Sequence, residues 1–128
     1  MASKKIILAV DDNPVQLKLF KEMLDMRYDL RVVKAASEAL NFMNSNEVDL
    51  ILLDIEMPNI SGFEFLHDVR KIPSYHNVPI IIVSGKTGQD FLNEARSSGA
   101  EDVLIKPVTA EQLVKSIEKT LGSGAKNG

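Results

Sequence analysis

The unbroken apolar run Leu50–Leu53 constrains this chain more than any other stretch. Its length is wrong for a buried helix, and it lacks the alternation of a strand wetted on one face. It reads instead as a strand covered on both faces. Such strands belong to parallel sheets with helices packed on each side, because parallel neighbours need a crossover segment between them. Two more runs share the character, "IILAV" at 6–10 and "VPIIIVS" at 78–84, which is apolar throughout Ile80–Val83. "LRVVKA" at 30–35 is mixed with charges, and "DVLI" at 102–105 is short; both suit the edges of a sheet.

Helix-like segments fill the gaps. Asn13-Pro14 opens one with proline at its first position and Leu17, Phe20 and Leu24 on one face. A second, at about 37–45, buries Leu40 and Met43. Ser61-Gly62-Phe63-Glu64 is a capping-box pattern for a third, with Phe63, Leu66 and Val69 inward. Thr87 is placed to cap a fourth, bearing Leu92 and Ala95. Thr109-Ala110-Glu111-Gln112 is another capping box, opening a helix with Leu113, Ile117 and Leu121 inward. Strict alternation of five strands and five helices predicts an α/β, (βα)5 doubly wound parallel five-stranded sheet. Right-handed crossovers with the apolar strands inside give the order 2-1-3-4-5. In that order the winding reverses between strands 1 and 3, and ligands bind beside the carboxyl ends of the strands there.

At 128 residues the chain fits one domain, expected over 1–122, and "GSGAKNG" at its end suggests a flexible tail or the start of a linker over 123–128. A net charge of −3 argues against direct nucleic-acid binding and against an anionic membrane surface. No apolar run approaches the roughly 20 residues of a membrane span. The chain has no cysteine, which removes disulfides, thiolate metal sites and cysteine nucleophiles and fits a cytoplasmic protein.

The carboxyl ends of the strands carry the chemistry. Strand 1 ends in Asp11-Asp12, strand 3 in Asp54, strand 4 in Ser84 and strand 5 in Lys106. Each alone reads equally well as a solvated turn or a helix cap, as Asp12 or Asn13 could be. Together they gather on one rim from four distant segments. Three carboxylates so close repel one another unless a cation intervenes. A hard divalent ion with oxygen ligands suits them, Mg²⁺ first and Mn²⁺ in its place. Asp54, at the tip of a rigid strand, is placed as a carboxylate nucleophile. Lys106, Ser84 and backbone N–H groups near 55–56 and 85 could neutralise the charge of a transferring phosphoryl group.

The set Asp11-Asp12, Asp54 with Met57-Pro58 and Gly62, Ser84, and Lys106-Pro107 resembles the receiver domain of two-component response regulators, chemotaxis-regulator-like and flavodoxin-like in fold. The resemblance covers about residues 4–121. It implies a switch rather than a turnover enzyme, with self-phosphorylation and autodephosphorylation as its only chemistry. Asp54 would be the phospho-acceptor. Asp12 would ligate Mg²⁺ directly and Asp11 largely through water, with the backbone carbonyl of Glu56 completing the protein ligands. Lys106, aimed by a cis bond to Pro107, would hold the phosphoryl oxygens, and Ser84 would shift to bond them after transfer. The donor would be a sensor histidine kinase, a phosphotransfer protein or acetyl phosphate. The output would be a downstream domain or target protein meeting the surface of helix 4, strand 5 and helix 5.

Several positions depart from the pattern of that family. Val103 stands where members commonly carry a tyrosine or phenylalanine that turns inward on switching. Gly85 follows Ser84 where a small residue such as alanine is usual. Glu56 and Lys86 hold the two positions that flank the attacking water in the family, so a Glu56–Lys86 contact is expected to tune phosphate lifetime.

Rival readings meet specific obstacles. "VSGKTG" at 83–88 resembles the end of a P-loop, but the first glycine of that motif would fall on Ile80, inside a strand. An aspartate-nucleophile phosphatase wants a second Asp two residues on, where this chain has Glu56, and a cap segment to enclose substrate. A degenerate receiver, binding partners without phosphorylation, would lack chemical positions that are all present. His67 and His76 suggest no metal site. Met23, Met26, Met43 and Met57 read as packing groups, and Glu111 and Lys115 as a solvated helix face.

Overall fold

The computed structural model describes residues 4–57 and 61–127, with side chains described as far as residue 122. Pro58, counted in the motif above, lies outside the described residues. The chain runs β1 (Ile6–Val10), α1 (Pro14–Leu24), β2 (Asp29–Val33), α2 (Ala36–Ser45), β3 (Leu50–Leu53), α3 (Gly62–Arg70), β4 (Ile80–Ser84), α4 (Gln89–Ser97), β5 (Asp102–Ile105) and α5 (Ala110–Asn127). The strands form one parallel sheet in the order β2-β1-β3-β4-β5, as the sequence predicts. The helix carries on to Asn127, past the boundary drawn at residue 122; Gly128 is outside the described residues.

The lack of alternation in the central strands has a direct cause. Leu8, Val10, Ile51, Leu53, Ile80 and Ile82 point to one face, where α2, α3 and α4 supply Met43, Phe65, Leu66, Val69, Phe91 and Ala95. Their neighbours Ile7, Ala9, Leu50, Leu52, Ile81 and Val83 point to the other, against Leu17, Phe20, Leu24, Leu113 and Ile117 of α1 and α5. Every residue of β3 and β4 is buried, so Leu50–Leu53 and Ile80–Val83 are apolar throughout, with about 1.5–3 kcal/mol at stake for each large side chain. The edge strand β5 is half-buried along its length.

Helix faces differ from expectation in detail. In α2, Ala36, Ala39 and Met43 are buried and Leu40 is half-buried. In α3, Phe65 joins Leu66 and Val69 in the core while Phe63 is half-buried. In α4, Phe91 and Ala95 are buried and Leu92 is half-exposed. In α4 the larger side chain, Phe91, takes the core over Leu92, and in α3 Phe65 rather than Phe63 lies one turn before Val69 on the face that meets the sheet.

Three caps form as expected. Asn13 accepts from the N–H groups of Val15 and Gln16, Ser61 from those of Phe63 and Glu64, and Thr109 exchanges reciprocal bonds with Gln112 at 3.0 and 3.1 Å. Thr87 does not cap α4. The helix starts one residue later, from Gly88 at φ 115°, and among the described residues no side chain bonds its first N–H groups. Left-handed backbone at that point favours glycine and carries the chain past the threonine's reach. Thr109→Ala is therefore expected to lower unfolding free energy by about 1 kcal/mol in urea titrations, and Thr87→Ala by less than about 0.5 kcal/mol.

Candidate functional site

Parallel register builds the site. Val10 of β1 is level with Leu53 of β3, so the next residues, Asp11 and Asp54, leave the sheet side by side. Asp54 stays tied to β1 through its N–H, which donates to the Val10 carbonyl at 3.0 Å. Asp11 is 1% and Asp54 6% exposed, while Asp12 is open to solvent. One carboxylate oxygen from each of the three lies within 4.8 Å of the others. The three carboxylates that the sequence sets at the ends of strands 1 and 3 thus lie together.

Lys106 supplies the counter-charge. Its Nζ lies 3.0 Å from Asp11 Oδ2 and 3.6 Å from Asp54 Oδ2. The lysine is held by its own N–H bond to the Ser84 carbonyl at 2.8 Å, and its bond to Pro107 is cis. Asp11 Oδ1 accepts the Asn13 N–H at 2.9 Å, and Asp54 Oδ1 accepts the Glu56 N–H at 3.1 Å. Burial pushes the Asp54 carboxyl up to about 6; the neighbouring Asp11 carboxylate adds to the rise, while the Glu56 N–H and Lys106 oppose it. One lysine does not satisfy three carboxylates, and the oxygen-only donor set fits a hard divalent cation.

Ser84 is fully buried at the end of β4, and its Oγ accepts the Lys86 N–H at 3.1 Å, holding the start of the β4–α4 loop. Beside the rim, between that loop and the β3–α3 loop, opens a cavity of about 840 Å³ whose lining includes Glu56, Met57, Phe63, Lys86, Thr87 and Phe91. It adjoins the acidic cluster without being lined by it. Glu56 and Lys86 face the same space, yet among the described residues no ion pair joins them. Gly85 is exposed in the loop with open space around its α-carbon. Val103 sits on β5, half-buried against the same core as α4. His67 is exposed and His76 bonds the nearby Pro73 carbonyl, so neither enters the site.

Sequence reasoning gave Gly62 only a place in a motif, not a task. A β-carbon there would lie 2.6 Å from Ile55 Cα and 2.8 Å from the Asp54 carbonyl oxygen. Its N–H donates to the Ile55 carbonyl at 3.0 Å. Only glycine lets the first turn of α3 press onto the backbone that carries Asp54. The legible signal was a glycine at the first position of a helix already capped by Ser61, where helix propensity alone disfavours it.

A doubly wound parallel domain with three carboxylates and a lysine at its switch point is a class of small α/β domain. The model of the response regulator receiver domain matches residues 7–118, and the chain belongs to that family. It is a receiver domain of two-component signal transduction. The chain is 34% identical over 126 residues to a 3',5'-cyclic-nucleotide phosphodiesterase, regA, of Dictyostelium discoideum, covering 94% of this chain and 16% of that protein. It is 27% identical to the polar-differentiation response regulator DivK of Brucella ovis, covering 92% of this chain and 97% of the other. A CheY-like response regulator receiver domain protein from Methanospirillum hungatei superposes with a TM-score of 0.89 at 28% identity, covering 98% of this chain and all of that one. Against three of its longer relatives, the chain spans only 16% to 27% of their length. Receiver domains bind Mg²⁺ at an acidic pocket and act generally as switches, and Asp11, Asp12 and Asp54 form such a pocket in this chain. Among the described residues no helix is long and apolar enough to cross a membrane.

Two outcomes follow from the geometry. Gly62→Ala should cost more than about 2 kcal/mol in urea unfolding, because backbone rather than a flexible side-chain end must give way. Asp54→Asn should stabilise chelator-treated protein in a pH-dependent way. The folded-state value of about 6 lies above the ordinary 3.8, so the proton on Asp54 favours the fold below about pH 4. That contribution is lost as pH rises through 6. The variant should thus gain about 1–2 kcal/mol at pH 7, allowing for solvent screening, and almost nothing at pH 4, read as unfolding free energy.

Proposed function

We propose that this receiver is switched by phosphorylation of Asp54, with a phospho-histidine of a sensor kinase or phosphotransfer protein, or acetyl phosphate, as donor. The observation that carries the reading is the buried Asp54 carboxylate held between Asp11 and Lys106 at the end of a fully buried strand. A carboxylate oxygen of Asp54 attacks phosphorus as the bond to the donor's imidazole nitrogen or acetate oxygen breaks, and the leaving group takes that electron pair. Asp12, Asp54 and the carbonyl of Glu56, with Asp11 beside them, are the groups that would hold Mg²⁺ or Mn²⁺. When bound, the ion supplies the positive charge that lets a phosphoryl dianion sit among carboxylates.

Lys106 is already within ion-pair reach of Asp54 and needs only a small swing from Asp11 to meet phosphoryl oxygens. The Ser84 hydroxyl accepts from the Lys86 N–H but keeps its own proton free to donate. Turning it toward the phosphoryl group pulls the β4–α4 loop inward. That biases the face of α4, β5 and α5 toward a downstream domain or target protein. With Val103 lacking a ring, Ser84 carries the switch in this chain, and exposed Gly85 and the uncapped start of α4 ease the loop's movement. Glu56 and Lys86 border the cavity through which water would reach the acyl phosphate, and we assign them to its lifetime, Pro107 serving to aim Lys106. The switching unit, residues 1–122, acts in the cytoplasm.

Intact mass after incubation with acetyl phosphate tests the assignment. A single phosphate that requires Mg²⁺ and vanishes in Asp54→Asn is expected; a phosphate that survives that substitution would overturn it. Steady multiple turnover of a phosphomonoester would point instead to a phosphatase. Autodephosphorylation of Glu56→Ala and Lys86→Ala should change by about threefold or more in at least one variant, and equal lifetimes in both would remove these residues from the gate.

A further inference from the structure

α4 is held at one end and free at the other. Its last turn is closed by Ser98, whose N–H and hydroxyl both donate to the Ala95 carbonyl, at 3.3 and 2.6 Å. Gly99 then takes a left-handed φ of 94°, which favours glycine. Arg70, the last residue of α3, donates to the Gly99 carbonyl at 3.1 Å and to that of Val78 at 2.6 Å. Glu101 finishes the clamp. Its N–H bonds the Ile80 carbonyl at 2.8 Å, and its carboxylate accepts the Ile80 N–H at 2.7 Å and pairs with Arg70 at 3.4 Å. The end of α4 is thereby tied to both α3 and β4.

The start of α4 is held quite differently. The chain reaches it through exposed Gly85 and left-handed Gly88, and a β-carbon at either would meet open space. Among the described residues no hydrogen bond or ion pair joins the first two turns of α4 to α3 or to residues 55–57. Phe63 of α3 meets Phe91 of α4 in a tilted ring pair with centroids 6.1 Å apart. Those rings border the cavity of about 840 Å³, which has Glu56 and Met57 on one side and Asp90 and Glu94 on the other. The three carboxylates are exposed and repel across the gap, and Lys86 is the one cation lining it. An open cavity is the resting arrangement such charges favour.

We propose that α4 is a lid, hinged at Gly99 and clamped there by Arg70, whose first turn swings to close this cavity when Asp54 is phosphorylated. The inference rests on the reading that Ser84 turns toward the phosphoryl group. Ser84 Oγ holds the Lys86 N–H, so that turn draws the free end of the lid toward residues 55–57. Lys86 then meets Glu56, and the half-buried Met57 and Phe63 lose water. A helix of nine residues is about 13 Å long, so a tilt of about 15° moves its start by about 3 Å and leaves its hinged end in place. The closed lid shuts the route by which water reaches the acyl phosphate. Arg70, at the opposite end of the sheet from Asp54, is thus a positioning residue for phosphate lifetime.

Distances between paired nitroxides test the hinge, and the chain has no cysteine of its own to interfere. Asn41→Cys on α2 is the common reference, paired with Gln89→Cys at the start of α4 or Ser97→Cys at its end; all three positions are exposed. Samples are frozen with and without acetyl phosphate and Mg²⁺, and intact mass is taken on each. On phosphorylation the 41–89 distance should shorten by about 2–3 Å while the 41–97 distance changes by less than about 1 Å. An unchanged 41–89 distance, or equal shifts at both ends, overturns the lid. Arg70→Gln should shorten phosphate lifetime about threefold or more while labelling proceeds within about twofold of wild type. Tyr75→Phe, which cuts the hydroxyl's bonds to the Met43 and Asn46 carbonyls at the end of α2, should leave both unchanged. A wild-type lifetime in Arg70→Gln overturns the hinge, and so does an equal loss in Tyr75→Phe, which would mark general loosening. Labelling on Asp54 without the distance change defeats the lid alone, whereas a phosphate that survives Asp54→Asn defeats the acceptor assignment.

Discussion

Asp11 and Asp54 repel each other, and the sheet holds them together regardless. Both are pinned by parallel register, Val10 against Leu53, and by the hydrogen bond from the Asp54 N–H to β1. Neither can retreat to water, since one is 1% and the other 6% exposed. The local answer is Lys106, shared at 3.0 and 3.6 Å, and a raised proton affinity at Asp54. A site built this way is electrostatically unfinished. It favours whatever brings more positive charge, which is the physical reason a divalent cation suits it.

Holding that strain requires a stiff frame, and β3 is one. Its four residues are wholly buried between two helical layers, so Asp54 cannot drift without opening both halves of the core. Gly62 adds the second constraint, letting α3 bear directly on the Asp54–Ile55 backbone. The Glu56 N–H then meets Asp54 Oδ1, and the carboxylate's orientation is fixed from below by the strand and from the side by the helix.

The sequence made the sheet legible because burial on both faces leaves a strong mark: Leu50–Leu53 and Ile80–Val83 admit few other readings. The same logic carried Asp11, Asp12, Asp54, Ser84 and Lys106 to one rim, since strand ends and strand order suffice to place them. Helix faces were harder. In α3 Phe65 rather than Phe63 lies in the core, two equal rings separated only by how the helix sits on the sheet, and in α4 Phe91 displaces the smaller Leu92. Thr87 failed as a cap because Gly88 takes a left-handed conformation that composition does not announce. The absence of a Glu56–Lys86 ion pair is likewise a matter of loop geometry, not of residue type.

The two loops that flank the rim are built differently, and that difference bears on how a charge at Asp54 could be read elsewhere. The β3–α3 loop ends in a helix that Ser61 caps and Gly62 wedges tightly against β3. The β4–α4 loop has exposed Gly85, left-handed Gly88 and a helix start with no side-chain cap. Among the described residues, its one hold on the sheet's rim from a side chain is the bond from the Lys86 N–H to buried Ser84. A new anion beside Ser84 therefore meets a rigid wall on one side and a lightly tethered one on the other. Motion follows the weaker restraint. In this chain that leads from Ser84 into α4 and toward β5, where Val103 presents no ring to help or hinder it.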